Sequence, residues 1–137
     1  MISYLKKVVP DTHPARLFYH KLKSIAACLV YRFPSNDLIV IGVTGTKGKT
    51  STTNLISSVL SEAGFKVGMT STVGFKVGSL EWANESKMTT LNPFFLQKML
   101  RRMVVEGCTH AVIEVSSHSL IQNRVWGVNF DMAVLTN

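Results

Sequence analysis

The chain has 137 residues, 46% of them hydrophobic, and its 15 Lys and Arg outnumber 8 Asp and Glu to give a formal charge of +7. This length and apolar content exclude a disordered protein and allow one sizeable core at most. The charge favours anionic partners such as nucleotides, phosphosugars, nucleic acid or an anionic membrane surface, and its sign alone does not choose among them.

Residues 1–36 are predicted to form a helical segment and a linker. Lysines and a histidine interrupt the apolar run between residues 17 and 33, which leaves it well short of the roughly 18 apolar residues that a spanning helix needs. A helix that packs on the domain or on another neighbour is favoured over contact with a membrane surface. Its apolar stripe consists of Leu22, Ile25, Ala26, Leu29, Val30 and Phe33. Residues 34–37 (Pro-Ser-Asn-Asp) are predicted to be the linker.

The next segment predicts a phosphate-binding loop. The β-branched run at residues 38–43 is typical of a buried parallel strand, and a Gly-rich turn with Lys-Thr follows it at the start of a predicted helix. Gly45 and Gly48 can take positive φ, so that backbone N–H groups turn toward phosphate oxygens. Lys49 is placed to reach the β and γ phosphates, and the Thr50 hydroxyl can ligate Mg²⁺.

Two points about this loop stay open from the residues alone. The Lys47 side chain either joins the phosphate site or simply faces solvent. The strict eight-residue pattern of phosphate-binding loops has glycine where this chain has Val43. This difference restricts the families to which the loop can belong and does not remove its function. A Gly-, Thr- and Lys-rich turn without a ligand is the alternative, and the context of strand, loop and helix disfavours it.

From residue 38 onward, predicted strands and helices alternate, which indicates an α/β fold with a mostly parallel sheet and helices on both faces. After the loop come a helix at 49–63, a strand at 65–73, a hairpin or turn-rich excursion at 74–82, a helix at 92–106, and strands at 111–115 and 132–135. The inward stripes are predicted to be Leu55, Ile56, Val59 and Leu60 in the first helix and Phe95, Met99, Met103 and Val104 in the second. The hairpin is a place where substrate-contacting loops are often built.

Glu114 lies at the end of the predicted strand 111–115. A carboxylate at the carboxyl end of a buried parallel strand faces the crevice in which open α/β sheets bind ligands, so Glu114 is predicted to be a second Mg²⁺ ligand beside Thr50. The alternative is an ordinary carboxylate turned to solvent. Burial of the strand disfavours it, because an unpaired buried carboxylate is costly.

The two cysteines, Cys28 and Cys108, are predicted to be reduced thiols. They match no metal-binding or redox spacing and lie in apolar stretches, and the four His residues show no ligand pairing. This usage is typical of a cytoplasmic protein.

Four motifs together resemble the Mur ligase superfamily, and most of all its branch that adds the third residue to the peptidoglycan stem peptide. They occur in the family's order and spacing over residues 38–137, and they are Val43 to Ser51, Met88-Thr89-Thr90, Glu114 to Arg124, and Leu135-Thr136-Asn137. The resemblance implies that residues 37–137 are part of the family's central ATP-binding domain. It also implies a chain cut short on a strand, inactive alone, without the family's usual N-terminal domain.

The resemblance implies ATP and Mg²⁺ as cofactors and UDP-muramoyl-peptide and an amino acid as substrates. Lys49 and Glu114 match catalytic positions, Thr50 and Glu114 match the metal positions, and Lys47 stands where the family usually has Asn. The ATP loop comprises Gly45, Thr46, Lys47, Gly48, Lys49, Thr50 and Ser51. The positions that bind the UDP-muramoyl-peptide are matched by Thr89, Thr90, Ser116, Gln122 and Arg124.

The resemblance implies amide ligation through an acyl phosphate, and other functions remain as alternatives to it. A ligase similar to folylpolyglutamate synthetase shares the fold and reaction, but Thr50-Ser51 and the Glu-Val-Ser-Ser-His run fit the peptidoglycan branch better. A nucleotide-binding module without ligase activity, held at a membrane surface by its basic start, is the alternative from another class. The run Ser116-Ser117-His118 does not predict a hydrolase, because it has no nucleophile elbow. The full-length protein is expected to be a cytoplasmic monomer without a nucleic-acid partner.

Overall fold

A computed structural model describes residues 12–137, so the first eleven residues of the predicted N-terminal segment lie outside it. Helices and strands follow in the order α1 Pro14–Val30, a 3-10 helix Pro34–Asp37, β1 Ile39–Thr44, α2 Lys49–Glu62, β2 Val67–Thr70, β3 Gly74–Val77, β4 Leu80–Ala83, α3 Pro93–Val105, β5 His110–Glu114, α4 Ser117–Ile121 and β6 Met132–Leu135. No helix between residues 12 and 137 combines the length and the hydropathy needed to cross a membrane.

Within this part of the chain the six strands form one sheet in the order β4-β3-β2-β5-β1-β6. Strands β2, β5, β1 and β6 are parallel, and the hairpin β3-β4 adds an antiparallel edge. The prediction of a mostly parallel α/β sheet is confirmed. Val43 is paired with Glu114 and Thr44 with Leu135, so the carboxyl ends of the central strands meet at one edge.

Both faces of the sheet are covered by helices. Along β5, Ala111 and Ile113 belong to the core cluster under α3, and Val112 between them belongs to the cluster under α2, as the two-residue period of a strand requires. The α3 cluster includes Leu96, Met99, Leu100 and Met103. Helix α3 begins where predicted, since the Asn92 side chain accepts a hydrogen bond from the Phe94 N–H and Pro93 opens the helix.

The predicted inward face of α2 is partly wrong. Leu55 and Val59 are 64% and 59% exposed, whereas Ile56 and Leu60 do pack against the sheet. The buried positions beside them are Thr53 and Ser57. Thr53 Oγ1 donates to the Lys49 carbonyl at 2.8 Å, so this hydroxyl is satisfied within the helix. Short side chains on this face let the helix backbone approach the sheet closely, which turns the larger residues outward.

The predicted face of α1 is also partly wrong. Leu22, Leu29 and Val30 are exposed and Ile25 and Ala26 are half-buried, whereas the buried residues of the helix are Ser24, Ala27 and Cys28. Helix α1 packs against α3, and Ser24 Oγ donates to the Asn123 carbonyl at 2.8 Å. Small side chains again decide which face can lie closest to the domain.

Three further features differ from prediction. The predicted linker is the 3-10 helix, in which Pro34 and Ser35 are buried. The buried Ser35 hydroxyl accepts the Asn129 N–H at 3.0 Å. Strand β2 is shorter than the predicted 65–73, since Phe65 and Val73 are exposed outside it. In α3, Phe95 is 40% exposed, while Leu96 and Leu100 are buried core residues outside the predicted stripe.

Candidate functional site

The loop between β1 and α2 has the backbone that a phosphate site requires. Gly45 and Gly48 have φ of 140° and 79°, in the region that favours glycine. Gly48 is the N-cap of α2, and no side chain of the described residues caps that helix start. A long helix that begins without a side-chain cap leaves its first N–H groups for an anion.

The lysines of this loop differ in their surroundings. Lys49 Nζ donates to the Gly45 carbonyl at 2.9 Å, so its ammonium lies over the loop. The Lys47 side chain is exposed. An ammonium already held across the loop is close to any phosphate that the loop would bind.

Residues after β6 hold the loop from its other side. Asn137 Oδ1 accepts hydrogen bonds from the Thr46 N–H at 2.9 Å, the Thr46 hydroxyl at 2.8 Å and the Lys47 N–H at 3.1 Å. Thr136 Oγ1 donates to the Lys47 carbonyl at 2.6 Å. The sequence motif Leu135-Thr136-Asn137 did not predict that Thr136 and Asn137 hold the loop, because the pairing of β1 with β6 is a long-range contact.

Glu114 is buried at the end of β5, with 2% of its surface exposed. Its Oε1 and Oε2 lie 3.0 and 3.1 Å from Thr50 Oγ1. The Thr72 N–H donates to Oε2 at 2.8 Å, and Thr72 Oγ1 lies 3.1 Å from Oε1. The carboxylate is therefore directed at the first turn of α2 and does not face solvent.

The Thr50–Glu114 pair fits a magnesium ion. Glu114 forms no ion pair with any described residue, and a buried carboxylate without a counter-charge is costly. Residues 12–137 contain no cluster of three His, Cys, Asp or Glu side chains. Mg²⁺ does not need one, because it is usually bound by one or two carboxylates together with substrate phosphates. A hydroxyl and a carboxylate oxygen beside a phosphate loop suit this preference.

Three of the predicted substrate residues are brought together beside Glu114. Thr89 Oγ1 lies 2.9 Å from Thr72 Oγ1, which is itself bonded to Glu114. Thr90 is buried, and its hydroxyl accepts the Ser116 N–H at 3.0 Å. The segment that carries Thr89 and Thr90 is thus tied to the carboxyl end of β5.

The two other predicted substrate residues lie outside this group. Gln122 is 1% exposed, its Nε2 lies 2.8 Å from His118 Nε2, and its Oε1 is buried without a partner in the described residues. The buried Gln122 amide is therefore in contact with an exposed side chain, that of His118. Arg124 is half-buried, and its guanidinium makes no hydrogen bond or ion pair with residues 12–137.

A cleft of about 870 Å³ adjoins the Thr89–Thr90 segment, since Met88 and Leu91 on either side of it line the cleft. It opens between the β3-β4 hairpin and the start of α3. Its walls include the aromatic side chains Tyr31, Phe75, Trp82, Phe94 and Phe95. A cleft of this size and lining is large enough for part of a small-molecule substrate.

Thr72 is a further site residue that the sequence did not predict. The predicted strand 65–73 included it, whereas β2 ends at Thr70 and Thr72 lies in the loop beyond. A signal was present, because Thr70-Ser71-Thr72 is a polar run at the carboxyl end of a strand. The contact of Thr72 with Glu114 depends on the pairing of β2 with β5, which the local sequence does not predict.

The chain is similar to a known protein family and to several known proteins. The family model described as Mur ligase middle domain matches residues 43–137. A UDP-N-acetylmuramoyl-L-alanyl-D-glutamate--2,6-diaminopimelate ligase from Corynebacterium efficiens is 43% identical over 129 residues, which are 93% of this chain and 24% of that protein. A UDP-N-acetylmuramyl-tripeptide synthetase from Roseiflexus sp. is 43% identical over 113 residues, which are 81% of this chain and 22% of that protein.

A solved structure titled as a UDP-N-acetylmuramoyl-L-alanyl-D-glutamate--2,6-diaminopimelate ligase is similar with a TM-score of 0.67 and 30% identity, over 95% of this chain and 25% of that one. The chain thus spans about a quarter of the length of the relatives that it matches. The matches also include most of the segment before β1, since 95% of the chain is covered. Because the family model matches well over half of its residues, this chain belongs to the Mur ligase family.

Proposed function

We propose that the protein containing this chain is an ATP-dependent ligase of peptidoglycan precursor synthesis, which joins an amino acid to a UDP-muramoyl-peptide. The names of the similar proteins, which are ligases or synthetases of UDP-N-acetylmuramoyl peptides, support this reaction. The observation that carries the proposal is the contact of Thr50 Oγ1 with the buried Glu114 carboxylate at 3.0 Å, beside the phosphate loop. Residues 37–137 would supply part of the ATP-binding domain.

In this proposal the loop Gly45, Thr46, Lys47, Gly48, Lys49, Thr50 and Ser51 binds the ATP phosphates. The Lys49 ammonium exchanges its bond to the Gly45 carbonyl for the β and γ phosphates. Such an exchange costs little, because a charge-assisted hydrogen bond to phosphate is stronger than one to a neutral carbonyl.

Thr50 and Glu114 would hold Mg²⁺. When bound, the ion supplies positive charge that stabilises the phosphoryl group during its transfer. The Thr50 hydroxyl has a single proton, which points to the carboxylate, so its lone pairs remain for a metal.

The reaction that we propose has two steps. A carboxylate oxygen of the UDP-muramoyl-peptide attacks the γ phosphorus of ATP, and ADP leaves. The amine of the incoming amino acid then attacks the acyl carbon, phosphate leaves, and an amide bond is formed. Lys49 and the loop N–H groups stabilise negative charge, and no side chain acts as a covalent nucleophile.

Thr89, Thr90, Ser116, Gln122 and Arg124 are proposed to bind the UDP-muramoyl-peptide. Support is strongest for Thr89, which is linked to Glu114 through Thr72, and for Thr90 and Ser116, which are hydrogen-bonded to each other next to these residues along the chain. The names of the similar proteins favour a UDP-muramoyl-peptide as the substrate over a folate-type one.

We further propose a cytoplasmic, monomeric enzyme without a nucleic-acid partner.

The first test is the affinity of the chain for ATP, measured by calorimetry with Mg²⁺ and with EDTA. Lys49→Ala is expected to weaken binding at least tenfold in both conditions, because the lysine acts directly on phosphate. Glu114→Gln is expected to abolish most of the gain that Mg²⁺ gives. The matched control is Glu106→Gln at the exposed end of α3, which should leave affinity unchanged.

A folded chain that binds no ATP, or a Glu114→Gln variant that behaves like Glu106→Gln, would contradict the proposed site. The ligase step is tested on the full-length protein, as phosphate release from ATP that requires both UDP-muramoyl-dipeptide and an amino acid. A non-catalytic nucleotide-binding module would bind ATP and release no phosphate in that assay.

A further inference from the structure

Thr72 contacts both the proposed metal-binding carboxylate, Glu114, and the proposed substrate residue Thr89. It follows β2, and its N–H donates to Glu114 Oε2 at 2.8 Å. Its hydroxyl oxygen lies 3.1 Å from Glu114 Oε1 and 2.9 Å from Thr89 Oγ1. One residue therefore contacts both oxygens of the proposed metal-binding carboxylate and one of the proposed substrate residues.

The protons in this group can be assigned. A carboxylate only accepts hydrogen bonds, whereas a hydroxyl has one proton to donate and two lone pairs. The Thr72 proton cannot serve both of its neighbours, and the charged acceptor is the stronger one. Thr72 therefore donates to Glu114 and accepts the proton of Thr89. Hydrogen bonds then run from Thr89 through Thr72 to Glu114, and Thr50 donates to the carboxylate from the side of α2.

This arrangement fixes the direction of the carboxylate. With its N–H on one oxygen and its hydroxyl on the other, Thr72 forms a two-point contact that resists rotation of the carboxylate plane. The remaining lone pairs of Glu114 are then directed toward Thr50 and the loop. A metal ligand held in this way binds its ion without first having to be ordered.

We propose that Thr72 is a positioning residue, which holds Glu114 in the orientation that binds Mg²⁺. The inference rests on the proposed function, since it assumes that Glu114 binds the ion. It adds a residue from a third strand end, because Thr50 follows β1, Glu114 ends β5 and Thr72 follows β2.

The test is Thr72→Val, which removes the hydroxyl, keeps the N–H and changes the side-chain shape little. ATP affinity is measured by calorimetry with Mg²⁺ and with EDTA. We expect the affinity in Mg²⁺ to fall roughly 10- to 100-fold, as for the loss of a residue that orients a metal ligand, and the affinity in EDTA to stay within about twofold. Thr72→Ser should restore the Mg²⁺ response, because it restores the hydroxyl.

The matched control is Thr109→Val, at the opposite end of β5, which should not alter either affinity. Thr72→Ala is measured alongside, so that the result does not depend on the folding of one variant. As a second readout, Mn²⁺ replaces Mg²⁺, and the electron paramagnetic resonance spectrum of the ion with ATP is expected to differ between Thr72→Val and the wild type.

Equal Mg²⁺ responses in Thr72→Val and Thr109→Val would overturn the inference. So would an equal loss of affinity in Mg²⁺ and in EDTA, since that pattern indicates general damage to the site. If Glu114→Gln abolishes the Mg²⁺ response and Thr72→Val keeps it, the proposed function stands and only the role of Thr72 fails. If the wild type shows no Mg²⁺ response, both fail.

Discussion

Gly45 lies where the proposed phosphate loop contacts the two residues that follow β6. Its φ of 140° disfavours any residue with a Cβ. A Cβ at this position would also overlap Thr136 Oγ1 and lie 3.2 Å from Asn137 Oδ1. These two side chains hold the loop through Thr46 and Lys47. A glycine is therefore needed for backbone conformation and for space at the same time.

We predict that Gly45→Ala lowers the free energy of unfolding by about 1–3 kcal/mol and weakens ATP binding about tenfold. Gly64→Ala is the matched control, because Gly64 also has positive φ, at 94°, and a Cβ there would meet nothing within 4 Å. The control should show the conformational cost alone and keep its ATP affinity. Urea denaturation and calorimetry check both values, and equal ATP affinities in the two variants would count against the prediction.

At the scale of elements, α3 lies so close to β2 that Gly68 is covered by Met103. A Cβ built on Gly68 would overlap the Met103 side chain, which is fully buried. Residues 67–70 are also buried throughout. The distance between this helix and the sheet is therefore set by a glycine on the strand opposite a large residue on the helix.

Gly68→Ala is predicted to destabilise the fold by about 1–3 kcal/mol through overpacking. In a Met103→Ala background the added methyl group gains space, so Gly68→Ala should cost about 1 kcal/mol less there. Urea denaturation of the wild type, both single variants and the double variant gives this coupling. Costs that add within about 0.5 kcal/mol would show that the two positions do not interact.

At the scale of the whole molecule, the two cysteines are buried in separate parts of the fold. Cys28 is buried on α1 and Cys108 in the core under α3, and both are free thiols, in agreement with the predicted reduced state. Burial raises the pKa of each thiol above its ordinary value of 9.0, because the thiolate is poorly solvated there. The folded state therefore favours the protonated form.

A raised pKa in the folded state adds stability below the pKa of the unfolded chain and loses it as the pH rises above that value. We predict that the free energy of unfolding falls more steeply above pH 9 in the wild type than in a Cys28→Ala, Cys108→Ala variant. The comparison removes the titration of lysines, which both proteins share. The free energy of unfolding is measured by urea denaturation between pH 7 and about 10.5. If its dependence on pH is the same in the wild type and the variant, the thiols have no such role.

Local signals predicted the elements well. The strand at 132–135, the hairpin and the start of α3 at Asn92-Pro93 follow from an apolar run, turn residues and a helix cap, which act within a few residues. The inward faces of α1 and α2 were predicted only in part, because an apolar stripe shows that a helix has a preferred face but not which neighbour lies on it. Small residues such as Ser24 and Thr53 decided the contact.

For the site, the sequence by itself predicted the loop that is proposed to bind phosphate and determined that Glu114 ends a strand, because each is a pattern of adjacent residues. Only the tertiary structure decided which groups surround them. Thr72 meets Glu114 across 42 residues of chain, and Thr46 meets Asn137 across 91. Both contacts depend on the strand order β2-β5-β1-β6, which crossover connections set and which no local pattern encodes.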